Sequence, residues 1–188
     1  MLDTIDYSTH LLVMRHGQAK LNAVSDHQRP LSDEGEMEVL QSAQFIAAVL
    51  SSSVDTYIDI LVSDSLRTKS TWALIKKYLE TQNIRLNQFS VSYRSDLYLA
   101  SSTKLQSIIS DVQVRVCEQR LTKSSEKELD PPLSHIILMI SHNPGCSELI
   151  YDLVGKSTSL KTSQIAHLSQ GNLFGIWALQ ALVSQNVI

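Results

Sequence analysis

The chain has 188 residues, and its 16 lysines and arginines against 19 aspartates and glutamates leave a net charge of −3. A near-neutral chain lacks the basic surplus by which proteins bind nucleic acids or membrane surfaces, so we expect neither partner. The 43% content of hydrophobic residues is typical of a globular protein, and the length favours a single domain over residues 1–188.

The first half of the chain predicts two strands that alternate with two helices. Short apolar runs at 10–15 and 57–62 are typical of buried parallel strands. One helix is predicted to begin after Pro30 with Ser32 as its cap, and a second covers residues 66–81. The apolar residues expected to face the sheet are Met37, Leu40, Ala43, Ile46, Ala47 and Leu50 in the first helix, and Leu66, Trp72, Leu74, Ile75, Tyr78 and Leu79 in the second.

The next part predicts a strand at 89–93 and a helix from Ser102 to Cys117. Residues 122–134 carry charged side chains and two adjacent prolines, which predicts a surface loop. The run at 135–141 is the most hydrophobic in the chain and indicates a central buried strand.

Two alternating segments, 164–169 and 173–179, predict a terminal hairpin that turns at Gly171 and Asn172. The order of elements is then β, α, β, α, β, α, β, α, β, β. It favours an α/β fold with three layers, α/β/α, and a mostly parallel central sheet.

Four residues suited to phosphate chemistry follow predicted strand ends. Arg15 and His16 follow the first strand, Arg67 the second, and His142 the strand at 135–141. Ligands of open α/β sheets bind beyond the carboxyl ends of the strands. Guanidinium groups offer a planar fork of donors to phosphate, and histidine can serve as nucleophile, acid or donor. The sequence therefore predicts an anion site with a potential nucleophile.

These residues belong to ordered motifs: Arg15-His16-Gly17, Arg29-Pro30-Leu31, Ser63-x-Ser65-Leu66-Arg67-x-x-x-Thr71 and Ser141-His142-Asn143-Pro144-Gly145. The set resembles the histidine phosphatase superfamily, which includes the cofactor-dependent phosphoglycerate mutases. The compact length and the Arg-Pro-Leu element look most like the SixA-type phosphohistidine phosphatases. The resemblance spans about residues 10–180 and implies the phosphoglycerate mutase-like fold.

The resemblance implies roles for individual residues. His16 would be the nucleophile that accepts the phosphoryl group, with Arg15, Arg67 and His142 around the phosphoryl oxygens. The residues that it assigns to substrate binding near the phosphate are Asn22, Arg29 and Asn143.

Two carboxyl groups are candidates for the acid that protonates the leaving group. Asp96 falls where mutase-like members carry a glutamate, and Asp26 lies in the loop after the first motif. Gln18 stands where many members carry glutamate or aspartate. These departures from the family pattern disfavour alkyl phosphate esters, whose alkoxide leaving group needs a proton.

The expected function is thus that of a metal-independent hydrolase that forms a covalent phosphohistidine and uses no cofactor. Its favoured substrate is a phosphorylated protein such as a histidine phosphotransfer domain. The alternatives are a small-molecule phosphomonoesterase or mutase and, from another class, a non-catalytic phosphate-binding module.

Other polar and aromatic residues have simpler interpretations. The other histidines, His10, His27, His135 and His167, show no metal-ligand spacing, so no metal is predicted. Cys117 and Cys146 match neither a disulfide framework nor a zinc motif, which favours the reducing cytoplasm. Cys146 is interpreted as a buried, inert thiol, and Trp72 and Trp177 as core residues. The N-terminal segment predicts neither a signal peptide nor a membrane span.

Overall fold

The structure, a computed structural model, describes residues 8–52, 56–125, 134–171 and 175–183. Among these residues no helix is long and apolar enough to cross a membrane. Strands and helices alternate along the chain before two final strands: β1 (Ser8–Arg15), α1 (Asp33–Ser51), β2 (Thr56–Ser63), α2 (Leu66–Thr81), β3 (Phe89–Arg94), α3 (Ser102–Ser125), β4 (Ser134–Ser141), α4 (Gly145–Val154), β5 (Ile165–Gly171) and β6 (Trp177–Val183). Short 3-10 turns cover Asp26–Gln28, Leu86–Gln88 and Ser95–Leu97.

The strands form one six-stranded sheet in the order β3-β2-β4-β1-β5-β6. The first four in this order run parallel, and β5 and β6 pair antiparallel to their neighbours. The prediction of a mostly parallel sheet is therefore confirmed. Since β1, β4 and β2 are adjacent and parallel, the loops that follow them emerge at the same edge.

Helices cover both faces of the sheet, which gives the predicted three layers. Helices α1 and α2 pack on the face that carries Leu12, Met14 and Ile60. Helices α3 and α4 pack on the opposite face, against side chains such as Leu11 and Val13. The central strands are apolar on both faces, which explains why the sequence of β1 and β4 shows no alternation.

Helix α1 begins where predicted, but part of its predicted buried face is wrong. The hydroxyl of Ser32 accepts a hydrogen bond from the Gly35 nitrogen at 3.0 Å and so caps the helix. Met37 is 62% exposed and Leu40 42%, whereas Val39 is buried. The buried face runs through residues 35, 39, 42, 43, 46, 47 and 50, and Gly35 and Ser42 are not apolar enough to be recognised in the sequence. Helix α2 has the predicted bounds, although Leu66 at its first turn is 42% exposed.

The helix predicted to end at Cys117 continues to Ser125, so the expected loop at 122–134 is helical at its start. Val116 and Arg120 are buried and continue the packed face beyond Cys117, which accounts for the extension. Residues 126–133 lie outside the described residues.

The last strand is displaced from its predicted position at 173–179. The described strand β6 covers Trp177–Val183 and pairs with β5, so the hairpin itself is confirmed. The burial of side chains alternates along the whole of β6, and the pairing of β5 with β6 shifts register between His167 and Leu168. Trp177 is half-buried against the α3 side of the sheet, whereas Trp72 is buried in the core as expected. Of the two predicted turn residues, Gly171 is the last residue of β5, so the strand is longer than predicted, and Asn172 lies outside the described residues.

Candidate active site

The topology brings together the four residues that were predicted from strand ends. Arg15 pairs in register with Ser141, so His16 and His142 each follow the end of adjacent parallel strands. Arg67 lies in the first turn of α2, directly after β2. All four side chains line one cavity of about 740 Å³ at the carboxyl edge of the sheet.

His16 is held in one tautomer by the loop that carries it. Its Nδ1 lies 2.7 Å from the carbonyl oxygen of Gly17, and a carbonyl can only accept, so Nδ1 carries the proton. Nε2 is therefore unprotonated, and its electron pair accepts a hydrogen bond from Arg67 Nε at 3.0 Å. Burial and the positive charges of Arg67, Arg15 and Arg29 lower the pKa of His16 to about 4, against the Gly17 hydrogen bond. A neutral imidazole with an available Nε2 can act as a nucleophile.

His142 faces His16 across the cavity, with ring centroids 5.0 Å apart. Its Nδ1 is 3.3 Å from Arg67 Nη2, which can only donate, so Nδ1 accepts and the proton resides on Nε2. Nε2 then donates to the Ser63 hydroxyl at 2.9 Å. Burial, with the neighbouring His16 and Arg67, lowers the pKa of His142 to about 3. Both imidazoles are therefore neutral in the free protein at pH 7.

Positive charge dominates the cavity. Its lining includes four cationic side chains, Arg15, Lys20, Arg29 and Arg67, and one acidic side chain, Asp26. Arg15 donates through Nη1 to the Leu160 carbonyl at 3.0 Å, and its buried Nε has no hydrogen-bond partner among the described residues. Arginine stays charged even when burial lowers its pKa, as it does for Arg15. The arrangement suits a phosphate dianion, which several charge-assisted hydrogen bonds could hold.

Thr71, the last residue of the third motif, connects the nucleophile loop to α2. Its hydroxyl accepts from the Gly17 nitrogen at 3.1 Å and donates to the Arg67 carbonyl at 2.7 Å. The spacing of Arg67 and Thr71 is one helical turn, so a single helix end positions both.

Asp96 does not line the cavity, so its placement contradicts the expectation that it is the acid at the site. Its carboxylate is bound by Arg94 at 2.8 Å and by Lys104 at 3.2 Å. The hydrogen bond from Arg94 is the largest cause that lowers its pKa, to about 2. The 3-10 turn Ser95–Leu97 buries Leu97 and directs the neighbouring carboxylate toward these two cations.

The three residues expected to bind substrate have different positions. Asn22 is exposed and does not line the cavity. Arg29 lines it and donates to Asp26 at 3.1 Å. Asn143 lines it too, but its amide donates to the Leu160 carbonyl at 2.8 Å and its oxygen accepts from the Ser147 hydroxyl. Asn143 thereby holds the loop after β4 in place, and its substrate role stays a prediction.

Tyr98 is a neighbour of the site that was not predicted from the sequence. Its hydroxyl donates to Asp26 Oδ2 at 2.6 Å, and its ring contacts His142 edge-on with centroids 5.2 Å apart. The guanidinium carbon of Arg67 lies 5.7 Å from the ring centroid. Its place just after a 3-10 turn follows no spacing rule, so no signal in the sequence identifies it.

Two other expectations concern cysteine and metal ligands. Cys146 is buried in α4, and burial raises the pKa of its thiol to about 12, as expected of an inert cysteine. The described residues contain no group of three or more histidine, cysteine, aspartate or glutamate side chains arranged to hold a metal ion.

The overall architecture matches solved structures over most of the chain. One is the protein histidine phosphatase SixA complexed with tungstate, which has a TM-score of 0.69 and 22% identity, with 93% of this chain and 96% of that chain covered. The chain has the histidine phosphatase fold. A phosphoglycerate mutase from Plasmodium falciparum has a TM-score of 0.56 and 13% identity, with coverage of 93% and 90%. This likeness confirms the predicted phosphoglycerate mutase-like fold.

Comparisons of sequence add one relative. No family model matches the chain. An uncharacterized chloroplastic protein of Arabidopsis thaliana is 29% identical over 189 residues, covering 94% of this chain and 78% of the relative.

Proposed function

We propose that the protein is a metal-independent phosphatase that forms a covalent phosphohistidine on His16, with protein-bound phosphohistidine as its substrate. The observation that carries the proposal is the state of His16. Its imidazole is neutral, its proton is fixed on Nδ1 by Gly17, and its Nε2 faces a cavity lined by arginines.

The reaction follows from this arrangement in two displacements. His16 Nε2 attacks phosphorus and forms a P–N bond, while the leaving group departs with the electron pair of the bond that breaks. Water then attacks the phosphohistidine, and Nε2 recovers its electron pair as phosphate is released. Arg15 and Arg67 supply positive charge to the phosphoryl oxygens in both transition states, which is the main requirement of phosphoryl transfer.

The state of the carboxyl groups supports a nitrogen leaving group. Asp26 is the acidic residue among those that line the cavity, and hydrogen bonds from Tyr98 and Arg29 hold its pKa well below its usual range. An ionised carboxylate cannot donate a proton to an alkoxide. An imidazole leaves more easily. The reference pKa of histidine is about 6.5, so the ring nitrogen that is not bonded to phosphorus can take a proton from water, and the group departs as neutral imidazole.

The rim of the cavity supports a protein-borne phosphate. Leu21 and Leu99 line the mouth and are 85% and 54% exposed, and Val24 in the adjacent loop is 97% exposed. Exposed apolar side chains around a charged site suit contact with a protein surface better than contact with a small polar ester. A phosphorylated histidine phosphotransfer domain of a cytoplasmic signalling pathway is therefore the substrate class that we propose. The likeness of fold to SixA agrees with it.

The test combines a trapping experiment with a comparison of substrates. Brief reaction with a labelled, phosphorylated histidine phosphotransfer domain, followed by a quench, should leave phosphate on the protein that is labile to acid and stable to base. His16→Ala should lose both label and turnover. His10→Ala is the matched control, since His10 lies near the start of β1 whereas His16 follows its end, and it should keep both label and turnover.

Three results would contradict the proposal. Label that persists in His16→Ala, or that maps to His142, would reassign the nucleophile. A higher kcat/KM for a sugar or glycerate phosphate than for the phosphohistidine domain would favour the small-molecule alternative. Phosphate binding without turnover of any substrate would indicate a binding module.

A further inference from the structure

Asp26 connects three groups of the candidate site. Its Oδ2 accepts from Tyr98 at 2.6 Å and from Arg67 Nη2 at 2.9 Å, and its Oδ1 accepts from Arg29 at 3.1 Å. Its backbone carbonyl also accepts from Arg67 Nη1. Asp26 belongs to the 3-10 turn Asp26–Gln28, whereas Arg67 lies on α2 and Tyr98 follows β3. Four hydrogen bonds thus join three separate segments at one residue.

The hydrogen bonds to Asp26 occupy one side of the Arg67 guanidinium, so the N–H groups on its other side point into the site. Asp26 holds the outer side of the guanidinium through Nη1 and Nη2. The inner side presents Nε to His16 Nε2 at 3.0 Å and Nη2 to His142 at 3.3 Å. Once phosphorus is bonded to His16 Nε2, the nearest acceptors for the Arg67 Nε–H are the phosphoryl oxygens. Asp26 therefore holds the guanidinium in the orientation that phosphate binding requires.

The same contacts exclude Asp26 as a proton donor. Three hydrogen-bond donors converge on its carboxylate, and each one stabilises the ionised form. A guanidinium cannot lose its proton to it, and the phenol of Tyr98 directs its own proton toward it. The sequence leaves Asp26 open as a candidate acid, whereas its environment is that of a permanent anion.

We propose that Asp26, with Tyr98 hydrogen-bonded behind it, is a positioning residue that orients Arg67 for phosphate and takes no part in proton transfer. The inference rests on the proposed function, because it assigns Arg67 to the phosphoryl oxygens. Tyr98 restrains Asp26 Oδ2 through its hydroxyl, and its ring packs beside Arg67 and His142. Its contribution depends on Asp26 being present.

Positioning and charge predict opposite effects of Asp26 removal on phosphate affinity, so the measurement distinguishes the two roles. The carboxylate repels an anion in the cavity, so Asp26→Asn should tighten phosphate binding if Asp26 acts only through its charge. Asp26 is 48% exposed, and water screens that repulsion. Loss of orientation at the buried Arg67 should outweigh it, because hydrogen bonds to charged groups are the stronger kind.

The experiment measures inorganic phosphate binding by calorimetry and kcat/KM for aryl phosphates of graded leaving-group pKa. Asp26→Asn should weaken phosphate binding about tenfold and lower kcat/KM by a similar factor for every leaving group. Tyr98→Phe should have a smaller effect of the same kind, and the double variant should be no worse than Asp26→Asn. In an Arg67→Ala background, Asp26→Asn should change phosphate affinity little. Asp111→Asn, on the exposed side of α3, is the control and should match the wild type.

Tighter or unchanged phosphate binding in Asp26→Asn would overturn the proposal. A loss that grows with leaving-group pKa would assign Asp26 as the proton donor instead. Failure of the proposed function can be told apart from failure of this inference. If the wild type turns over no substrate, the proposed function fails, but phosphate binding by Asp26→Asn can still be compared with the wild type and in the Arg67→Ala background. Thermal unfolding of each variant shows whether it is folded. If Asp26→Asn does not fold, Tyr98→Phe, which removes a single hydroxyl, provides the same comparison of phosphate binding and kcat/KM.

Discussion

The nucleophile and the cations of the site depend on each other at the scale of single residues. The guanidinium groups that would bind phosphate also lower the pKa of His16, because they disfavour a second positive charge beside them. Burial acts in the same direction and is the larger cause. The free protein therefore holds His16 ready to attack without a base to deprotonate it.

This state predicts the titration of His16. An ordinary histidine titrates near pH 6.5, whereas the pKa of His16 is lowered to about 4, so its imidazole should stay neutral as the pH falls from 8 to about 5. NMR of the imidazole Cε1–H, with the signal assigned from His16→Ala, measures this directly. In Arg67→Ala the midpoint should move upward, because a neighbouring cation is lost. A wild-type midpoint near 6.5 would contradict the conclusion that burial and neighbouring positive charge lower the pKa of His16.

The sequence identifies the four strand-end residues because a polar residue that ends a continuous apolar run has a defined position in a parallel sheet. Arg15 with His16, and His142, are fixed in this way by the register of β1 and β4. Asp96 could not be placed in the same way, since a 3-10 turn decides where its carboxylate points. Arg29 is a near neighbour of Asp26 in the chain, but Arg67 and Tyr98 lie in distant segments, and no local sequence pattern predicts those two contacts.

At the scale of elements, the N-terminus of α1 packs directly against the loop that carries the nucleophile. A Cβ on Gly35 would overlap the Gln18 carbonyl oxygen and lie 2.8 Å from the Gln18 nitrogen. The Ser32 nitrogen also donates to the Gln18 carbonyl at 2.9 Å. Gln18 is two residues beyond His16, so the helix end and the site share a backbone contact.

Replacing Gly35 should therefore damage both stability and activity. Helix propensity alone predicts that Gly35→Ala stabilises by about 0.5–1 kcal/mol. The overlap is with backbone, which cannot rotate away, and overpacking costs about 1–3 kcal/mol, so we expect net destabilisation. Urea denaturation measures the free energy of unfolding, and kcat/KM measures activity. Both quantities should be lower in Gly35→Ala than in the wild type. Gly171→Ala is the control, because, apart from Gly171 itself and its chain neighbours, no atom of the residues that the structure describes lies within 4 Å of its added Cβ. Stabilisation of Gly35→Ala with full activity would show that the loop can move.

The bounds of elements were predictable where a cap or a strand end marks them. Ser32 identifies the start of α1 because its hydroxyl satisfies a free backbone donor. No capping residue or strand end identifies the end of α3. Its later turns are polar in sequence, and Arg120 is buried only through packing against other parts of the fold. Gly35 is a similar case, since its buried position reflects the close approach of the Gln18 backbone rather than hydrophobicity.

At the scale of the whole molecule, a second polar cluster lies beneath α3, between strands β2 and β4. Asp59 is 3% exposed and accepts from Arg115 at 2.6 Å and from His135 at 2.8 Å. Burial raises the pKa of Asp59, but the hydrogen bonds from His135 and Arg115 outweigh it, so the net shift is downward. The cluster joins two strands of the sheet to the helix that covers them, and none of its members lines the candidate active site.

This cluster predicts a pH-dependent contribution to the stability of the fold. A carboxyl whose folded pKa is lowered stabilises above its unfolded value and loses that contribution as the pH falls through the folded value. Asp59→Asn should therefore lower the free energy of unfolding by about 1–3 kcal/mol at pH 7, and the difference from wild type should narrow below pH 3.8. Urea denaturation at both pH values measures it, and kcat/KM at 25 °C should be retained. The control is Asp152→Asn, because the Asp152 carboxylate accepts its hydrogen bond from Gln106 on the surface. This variant should change the free energy of unfolding by less than about 0.5 kcal/mol. Equal stability of Asp59→Asn and wild type at pH 7 would show that the cluster only compensates for the burial of its own charges.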